Sequence, residues 1–245
     1  MMRDTKLGLS TGCLHMLFDR SELSGSIKLI AQSHICALEI LCRRFNDLSY
    51  LSQVGTKCLK SFDYISLHAP VKNFYQKDNA TTVFLDQLVT THRKFKFDHV
   101  ILHPDKMQNW DILKQYGQIP WSIENMDQKK DFGIDTDDLE GMMDRGPELG
   151  FVLDLQHCFT NDSSMEIVDE YLDRFGDRLV EIHLSGYNIN LVHCPLYLAD
   201  QEVIIQKLSE VLRYKNVPII IESTFLKLEE IQKEINYVQS YLQSF

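Results

Sequence analysis

Trp121-Ser122-Ile123-Glu124-Asn125-Met126-Asp127 opens behind a proline, Pro120, and reads as a short buried strand that ends on an acid, Glu124. A carboxylate at the end of an apolar strand is costly unless something positive lies against it. No arginine stands close by in the sequence. Several other strand-like runs also end on His, Asp or Glu. The economical reading is that these strand ends meet around one cation, with Glu124 near its centre.

Outward from this strand the chain alternates between two periodicities. Strands are expected over 7–10, 37–41, 64–68, 99–103, 121–124, 151–154, 179–183 and 217–222. Helices are expected over 21–33, 48–62, 80–94, 110–116, 136–145, 163–175, 201–214 and 226–242. Asp135 or Thr136 caps the fifth helix, and Gly150 ends that unit. The last helix places Leu228, Ile231, Ile235, Val238 and Leu242 on one face. Short connections between strands and helices imply a parallel sheet with crossover helices. Eight units in 245 residues is the size of a closed (β/α)8 TIM barrel, read as a single domain over 1–245. A doubly wound open sheet is the other possible fold, but no GxGxxG follows the first strand. The stretch 185–199 reads as a long loop, on the face where such barrels carry function.

Strand side chains alternate faces, so register is a sharper test. One set contains Ser66/His68, Ile101/His103, Ser122/Glu124, Val152/Asp154, Glu181/His183 and Ile220/Glu222, with Gly8/Ser10 and Ala37/Glu39 in the same register. The other contains Ile65/Leu67, Val100/Leu102, Trp121/Ile123, Leu153/Leu155, Val180/Ile182 and Ile219/Ile221. The second set is large and apolar, as a surface beneath helices must be. The first therefore points into the barrel. Glu181 falls a layer below the mouth, with no partner the sequence can name.

Composition narrows the function. Net charge is −10, from 25 basic and 35 acidic residues, which argues against a broad phosphate-tracking surface. Apolar residues make up 44%, enough for a sizeable core. No run approaches the roughly 20 apolar residues of a membrane span. The N-terminal Met-Met-Arg-Asp-Thr-Lys lacks a signal-peptide layout. Six cysteines without a CxxC or regular spacing read as reduced thiols, and the expected compartment is cytoplasmic.

Active sites of such barrels lie at the carboxyl ends of the strands. Strands three to eight deliver His68, His103, Glu124, Asp154, His183 and Glu222 there. Imidazole with carboxylate suits a divalent metal of the Zn, Mn or Fe kind, Zn or Mn being expected here. His157 and His193 lie close to the same rim. In this order, Leu67-His68-Ala69-Pro70, Leu102-His103-Pro104, Ile123-Glu124-Asn125, Leu153-Asp154-Leu155-Gln156-His157, Ile182-His183-Leu184 and Ile221-Glu222-Ser223 resemble the xylose isomerase-like TIM-barrel superfamily. That group includes sugar isomerases and epimerases of the tagatose 3-epimerase type, and endonuclease IV.

The resemblance to the epimerases implies one divalent metal held by Glu124, Asp154, His183 and Glu222. It also implies a small-molecule sugar substrate contacted by His157, with His193 nearby. Glu124 and Glu222 would move protons through a metal-stabilised cis-enediolate. The resemblance to endonuclease IV implies instead a phosphodiesterase acting on abasic DNA. His68, His103 and Glu124 would then hold one ion, and Glu124 would bridge to a second at Asp154, His183 and Glu222. A third ion would need His157, His193 and an Asp two residues before the latter, where this chain has Leu191. Nucleic acid is a partner only under that alternative. A non-catalytic metal-binding barrel is a further one.

Other candidates have blander readings. His15, His34, His92 and His99 are expected to be structural. Cys158 and Cys194 each follow a candidate His but read as packing residues. Lys72, Lys106, Lys129 and Lys130 read as solvated loop residues, and the acidic run 135–140 as a helix start. Phe74 and Tyr75 could stack on a base or a sugar. Glu39 is either a rim residue or a buried hydrogen-bonding one.

Overall fold

Strand-forming runs rich in Ile, Leu and Val build the centre of the computed structural model, which describes residues 5–145 and 148–243. Met1–Asp4, part of the N-terminal reading, lie outside the described residues. The strands are β1 (Leu7–Ser10), β2 (Ala37–Leu41), β3 (Tyr64–His68), β4 (His99–Leu102), β5 (Trp121–Glu124), β6 (Gly150–Asp154), β7 (Leu179–Leu184), β8 (Gly186–Asn188), β9 (Leu191–Cys194) and β10 (Ile219–Ile221). Among the described residues, β1 to β7 and β10 close a barrel in chain order, with every pairing parallel. The fold is a (β/α)8 barrel.

The helices are α1 (Leu23–Gln32), α2 (Leu48–Ser52), α3 (Asn79–Phe95), α4 (Thr136–Met143), α5 (Leu155–Asn161), α6 (Ile167–Phe175), α7 (Glu202–Tyr214) and α8 (Leu228–Gln243). Their apolar faces, such as Phe84, Leu88, Ile204, Leu208, Ile231 and Ile235, pack on the outward set of strand residues, Leu67, Val100, Leu102, Ile123, Leu153, Ile182, Ile219 and Ile221. Each such buried side chain is worth roughly 1.5–3 kcal/mol. A one-residue slip of any strand would turn that set inward, so the packing enforces the register. Inside the barrel, Ala37, Tyr64 and Ile220 form a small separate cluster. Gly8 lies beside them because a Cβ there would come within 2.5 Å of the Ala37 carbonyl oxygen.

Five expectations are corrected. The helix expected over 110–116 is a 3-10 helix, Trp110–Tyr116, capped by Asn109, whose Oδ1 accepts from the Asp111 amide. The helix expected over 21–33 begins with a 3-10 turn, Arg20–Glu22, capped by Asp19, whose carboxylate accepts from the Ser21 amide. The helix expected over 48–62 stops at Ser52; Gly55 breaks it, and the chain resumes as a 3-10 turn over Thr56–Leu59. The helix expected over 163–175 starts only at Ile167. It is preceded by α5, which leaves β6 with no loop because Asp154 ends the strand and also caps the helix, accepting from the His157 amide at 2.8 Å. The stretch 185–199 is not an irregular loop. Asn188 Oδ1 accepts from the Asn190 amide, and β8 and β9 pair antiparallel around that turn. Asp135 does cap α4, accepting from the Asp138 amide. Among the described residues, no helix is long and apolar enough to cross a membrane.

Candidate metal centre

Because β3, β5 and β6 each end on the ligand-type residue itself, their last side chains turn into the mouth of the barrel. His68, Glu124 and Asp154 sit there, buried. His183 lies one residue before the end of β7. His103 and Glu222 stand one residue beyond β4 and β10. The structure brings all six together. Glu124 is central, and its two oxygens face opposite ways. Oε2 lies 3.2 Å from His68 Nε2 and 3.2 Å from His103 Nε2. Oε1 lies 3.1 Å from His183 Nδ1, and Glu222 Oε2 is 3.4 Å from that same nitrogen. The charge that satisfies the buried Glu124 carboxylate thus comes from the imidazoles of His68 and His183, each two strands away around the barrel.

Beneath this layer lie two further acids. Glu181 Oε1 is 2.8 Å from His183 Nε2, which supplies the partner that the sequence could not name. Glu39 Oε2 lies 3.2 Å from the same nitrogen, outside hydrogen-bond geometry. Glu39 is therefore a buried residue of the barrel interior and not part of its rim.

Charge at the site is strongly interdependent. Burial opposes ionisation of Glu124, but His183 and His103 overcome it and hold the carboxyl well below its usual range. Glu222 goes the other way: burial, only partly offset by His183 and reinforced by Glu39, lifts it well above. Burial raises Asp154 to about 6, against the pull of His157. For His68, burial is outweighed by Glu39 and Glu124, and its pKa rises to about 9. His103 is pushed down to about 4, chiefly by burial.

These residues fit a divalent cation. Three overlapping groups have ligand atoms within 4.8 Å of one another: His68, His103 and Glu124; Glu124, Asp154, His183 and Glu222; and Glu39, His68, His183 and Glu222. One buried carboxylate oxygen in them, Asp154 Oδ2, has no hydrogen-bond partner among the described residues. Buried carboxylate oxygens without donors are what a cation would satisfy.

A cavity of about 530 Å³ opens above the cluster, lined by His68, His103, Glu124, His157, His193 and Glu222. His157 Nδ1 contacts the Asn125 carbonyl at 2.8 Å, and since a carbonyl only accepts, that nitrogen carries the proton. His193 lies on β9, its ring 5.8 Å from that of His157 and its Nδ1 3.0 Å from Ser185 Oγ. Burial and the neighbouring His157 push His193 down to about 3. Leu191, where a third-ion acid would stand, is half-buried at the start of β9.

Asn125 has a role that sequence reading missed. Its Oδ1 accepts from the Asp154 amide at 2.7 Å, and its Nδ2 donates to the Asp154 carbonyl at 3.1 Å. It thereby holds β5 to the end of β6 and anchors His157. Its place directly after Glu124 was the available signal.

The remaining candidates separate cleanly. Cys158 and Cys194 are buried thiols, and Cys158 accepts from Asn125 Nδ2. Tyr75 is buried against Phe45 and Phe84 and cannot stack on a ligand, whereas Phe74 is exposed. Lys106 and Lys130 pair with Asp105, at 2.6 and 4.0 Å. His99 Nδ1 contacts Ser122 Oγ at 2.8 Å inside the barrel.

A closed parallel barrel with imidazoles and carboxylates at its carboxyl mouth defines a class of fold and site, the (β/α)8 barrels that could hold a divalent metal. Within it, the chain shares its fold with solved sugar epimerases and an endonuclease. A D-tagatose 3-epimerase-like protein aligns at TM-score 0.75 and 17% identity, over 97% of this chain and 97% of that one. A 3-keto-D-glucoside 4-epimerase from E. coli aligns at 0.72 and 10% identity, over 97% of this chain and 100% of that one. Endonuclease IV from Thermus thermophilus aligns at 0.70 and 14% identity, over 98% and 100%. No family model matches the chain, and no curated protein matches it. At these identities the likeness is one of fold.

Proposed function

We propose that this protein is a divalent-metal-dependent isomerase or epimerase of a small sugar or sugar-derived carbonyl compound. The observation that carries the reading is the pair Glu124 and Glu222, which flank His183 Nδ1 at 3.1 and 3.4 Å and line the cavity. A volume of about 530 Å³ is in the range of small-molecule sites. The net charge of −10 favours such a substrate over nucleic acid.

Glu124, Asp154, His183 and Glu222 would hold the ion, with Zn or Mn suited to this mix of nitrogen and oxygen. Bound there, it supplies polarisation of a substrate carbonyl, which acidifies the adjacent C–H. Glu124, kept as a carboxylate, takes the proton from that carbon, and the C–H electron pair moves toward the carbonyl. Glu222, facing it across the mouth, returns a proton from the other side. His157 offers Nε2 to a substrate hydroxyl, and His193 stands beside it. The unpaired cysteines agree with a reducing, cytoplasmic setting.

A second reading is favoured by one observation. His68 and His103 both face Glu124 Oε2, so the carboxylate could bridge two ions, as metal-assisted phosphodiester hydrolysis requires. Elemental analysis of purified protein, then incubation with a ketose panel in deuterated water, separates the two. One ion per chain with deuterium incorporated at carbon supports the isomerase. Two or three ions, with nicking of abasic DNA and no exchange, overturns it. Metal bound with neither activity points to a binding barrel.

A further inference from the structure

Glu234, on the face of α8 toward the barrel, has a fully buried side chain. Its Oε1 accepts from the Ser223 hydroxyl at 2.7 Å and from the Leu196 amide at 2.8 Å. Its Oε2 accepts from the Tyr197 amide at 3.3 Å. Ser223 directly follows Glu222. Leu196 and Tyr197 follow the hairpin whose second strand carries His193. A second link joins the same two segments, because the Thr224 amide donates to the His193 carbonyl at 2.7 Å. An apolar side chain would fill this space without burying an acid. A carboxylate is the group that can take three donors from two chain segments at once.

We propose that Glu234 is a positioning residue for the mouth of the barrel. One buried carboxylate holds the strand end that bears Glu222 and the hairpin that bears His193 in a fixed relation. What those two residues do there rests on the reading of the mouth as a metal-dependent site. The relation itself rests only on the contacts of Glu234. Since Ser223 and Leu196 share one oxygen, the hairpin cannot lift away without loosening the residue beside Glu222.

The test uses Glu234→Gln and Ser223→Ala in the full chain, with Co²⁺ alone as the probe and hydrogen exchange at the Leu196, Tyr197 and Thr224 amides. The visible ligand-field spectrum of Co²⁺ reports the geometry of its ligands. Both variants are expected to fold, to bind Co²⁺ roughly tenfold more weakly and to shift its spectrum, the scale seen for groups that orient ligands. Glu234→Gln should also speed exchange at Leu196 and Tyr197. A merely structural role would lower stability and leave the Co²⁺ spectrum of the folded protein unchanged, and that result in both variants overturns the proposal. Should Glu234→Gln not fold, the spectrum of Ser223→Ala decides. If the unmodified protein takes up no Co²⁺, the metal reading fails by itself. Exchange then decides the clamp: faster in Glu234→Gln upholds it, and unchanged overturns it.

Discussion

The inner ring nitrogen of His183, Nε2, lies 2.8 Å from a carboxylate oxygen of Glu181, two residues earlier on the same strand. The two-residue period of β7 puts both side chains inside the barrel, one above the other. Glu181 can therefore receive the Nε2 proton and leave Nδ1 facing Glu124 and Glu222.

Glu181→Gln is expected to weaken Zn²⁺ binding about 10- to 100-fold, the usual effect of losing a carboxylate behind a ligating histidine. Calorimetric titration of the metal-free variant checks this. An affinity equal to that of the unmodified protein would show that His183 needs no such support.

Stability of the metal-free protein should depend on pH through His68. Its folded pKa of about 9 lies above the ordinary 6.5, so the stability it contributes is fully present below about 6.5 and lost as pH rises through about 9. The loss is on the order of 3 kcal/mol at most. Urea denaturation at about pH 6.5, 8 and 9.5 should show it, and a flat profile would count against the charged His68.

Metal uptake has its own pH dependence. Asp154, raised to about 6, must give up its proton to act as a ligand, so Zn²⁺ affinity should fall as pH drops below about 6. At pH 7 binding should expel the proton that, despite burial, Glu222 and Glu124 keep on the His183 imidazole well above its ordinary range. Titrations in buffers of different ionisation enthalpy would measure that release, and a binding enthalpy independent of the buffer would show the ligands already deprotonated in the metal-free state.

Added Zn²⁺ should stabilise the fold. At about 1,000 times Kd, ligand linkage gives about 4 kcal/mol. For a chain of this size, that is a rise in Tm of roughly 8–16 °C. Differential scanning calorimetry with Zn²⁺ and with a chelator compares the two states, and equal melting temperatures would exclude a resident ion.

Asn125→Ala removes the side chain that pairs both main-chain groups of Asp154. A buried amide left without a partner costs about 1–3 kcal/mol. Equilibrium denaturation should show at least that loss, together with weaker metal binding, because the Asp154 end of β6 is no longer held to β5.

The sequence alone was enough for the barrel and for the face on which each strand residue lies. Alternation of strand and helix periods implies a parallel sheet, and eight units in 245 residues match the size at which it closes. The apolar set Leu67, Leu102, Ile123, Leu153, Ile182 and Ile221 could only face the helices, which turned His68, Glu124, Asp154 and His183 inward. Both are local properties of the chain, set by side-chain alternation and burial.

Tertiary structure decided what no spacing encodes. Glu39, Glu181 and His183 meet because closure of the barrel brings β2 and β7 across its interior, with contacts set by strand tilt and not by sequence separation. The hairpin over Gly186–Cys194 depends on a turn at Asn188 and on Gln201, whose amide bridges the Tyr187 main chain. Glu234 looks in the sequence like one more polar position of a surface helix. Only the packing of α8 against the ends of β9 and β10 turns it into a buried acceptor, because three donors converge there and leave no water to satisfy them.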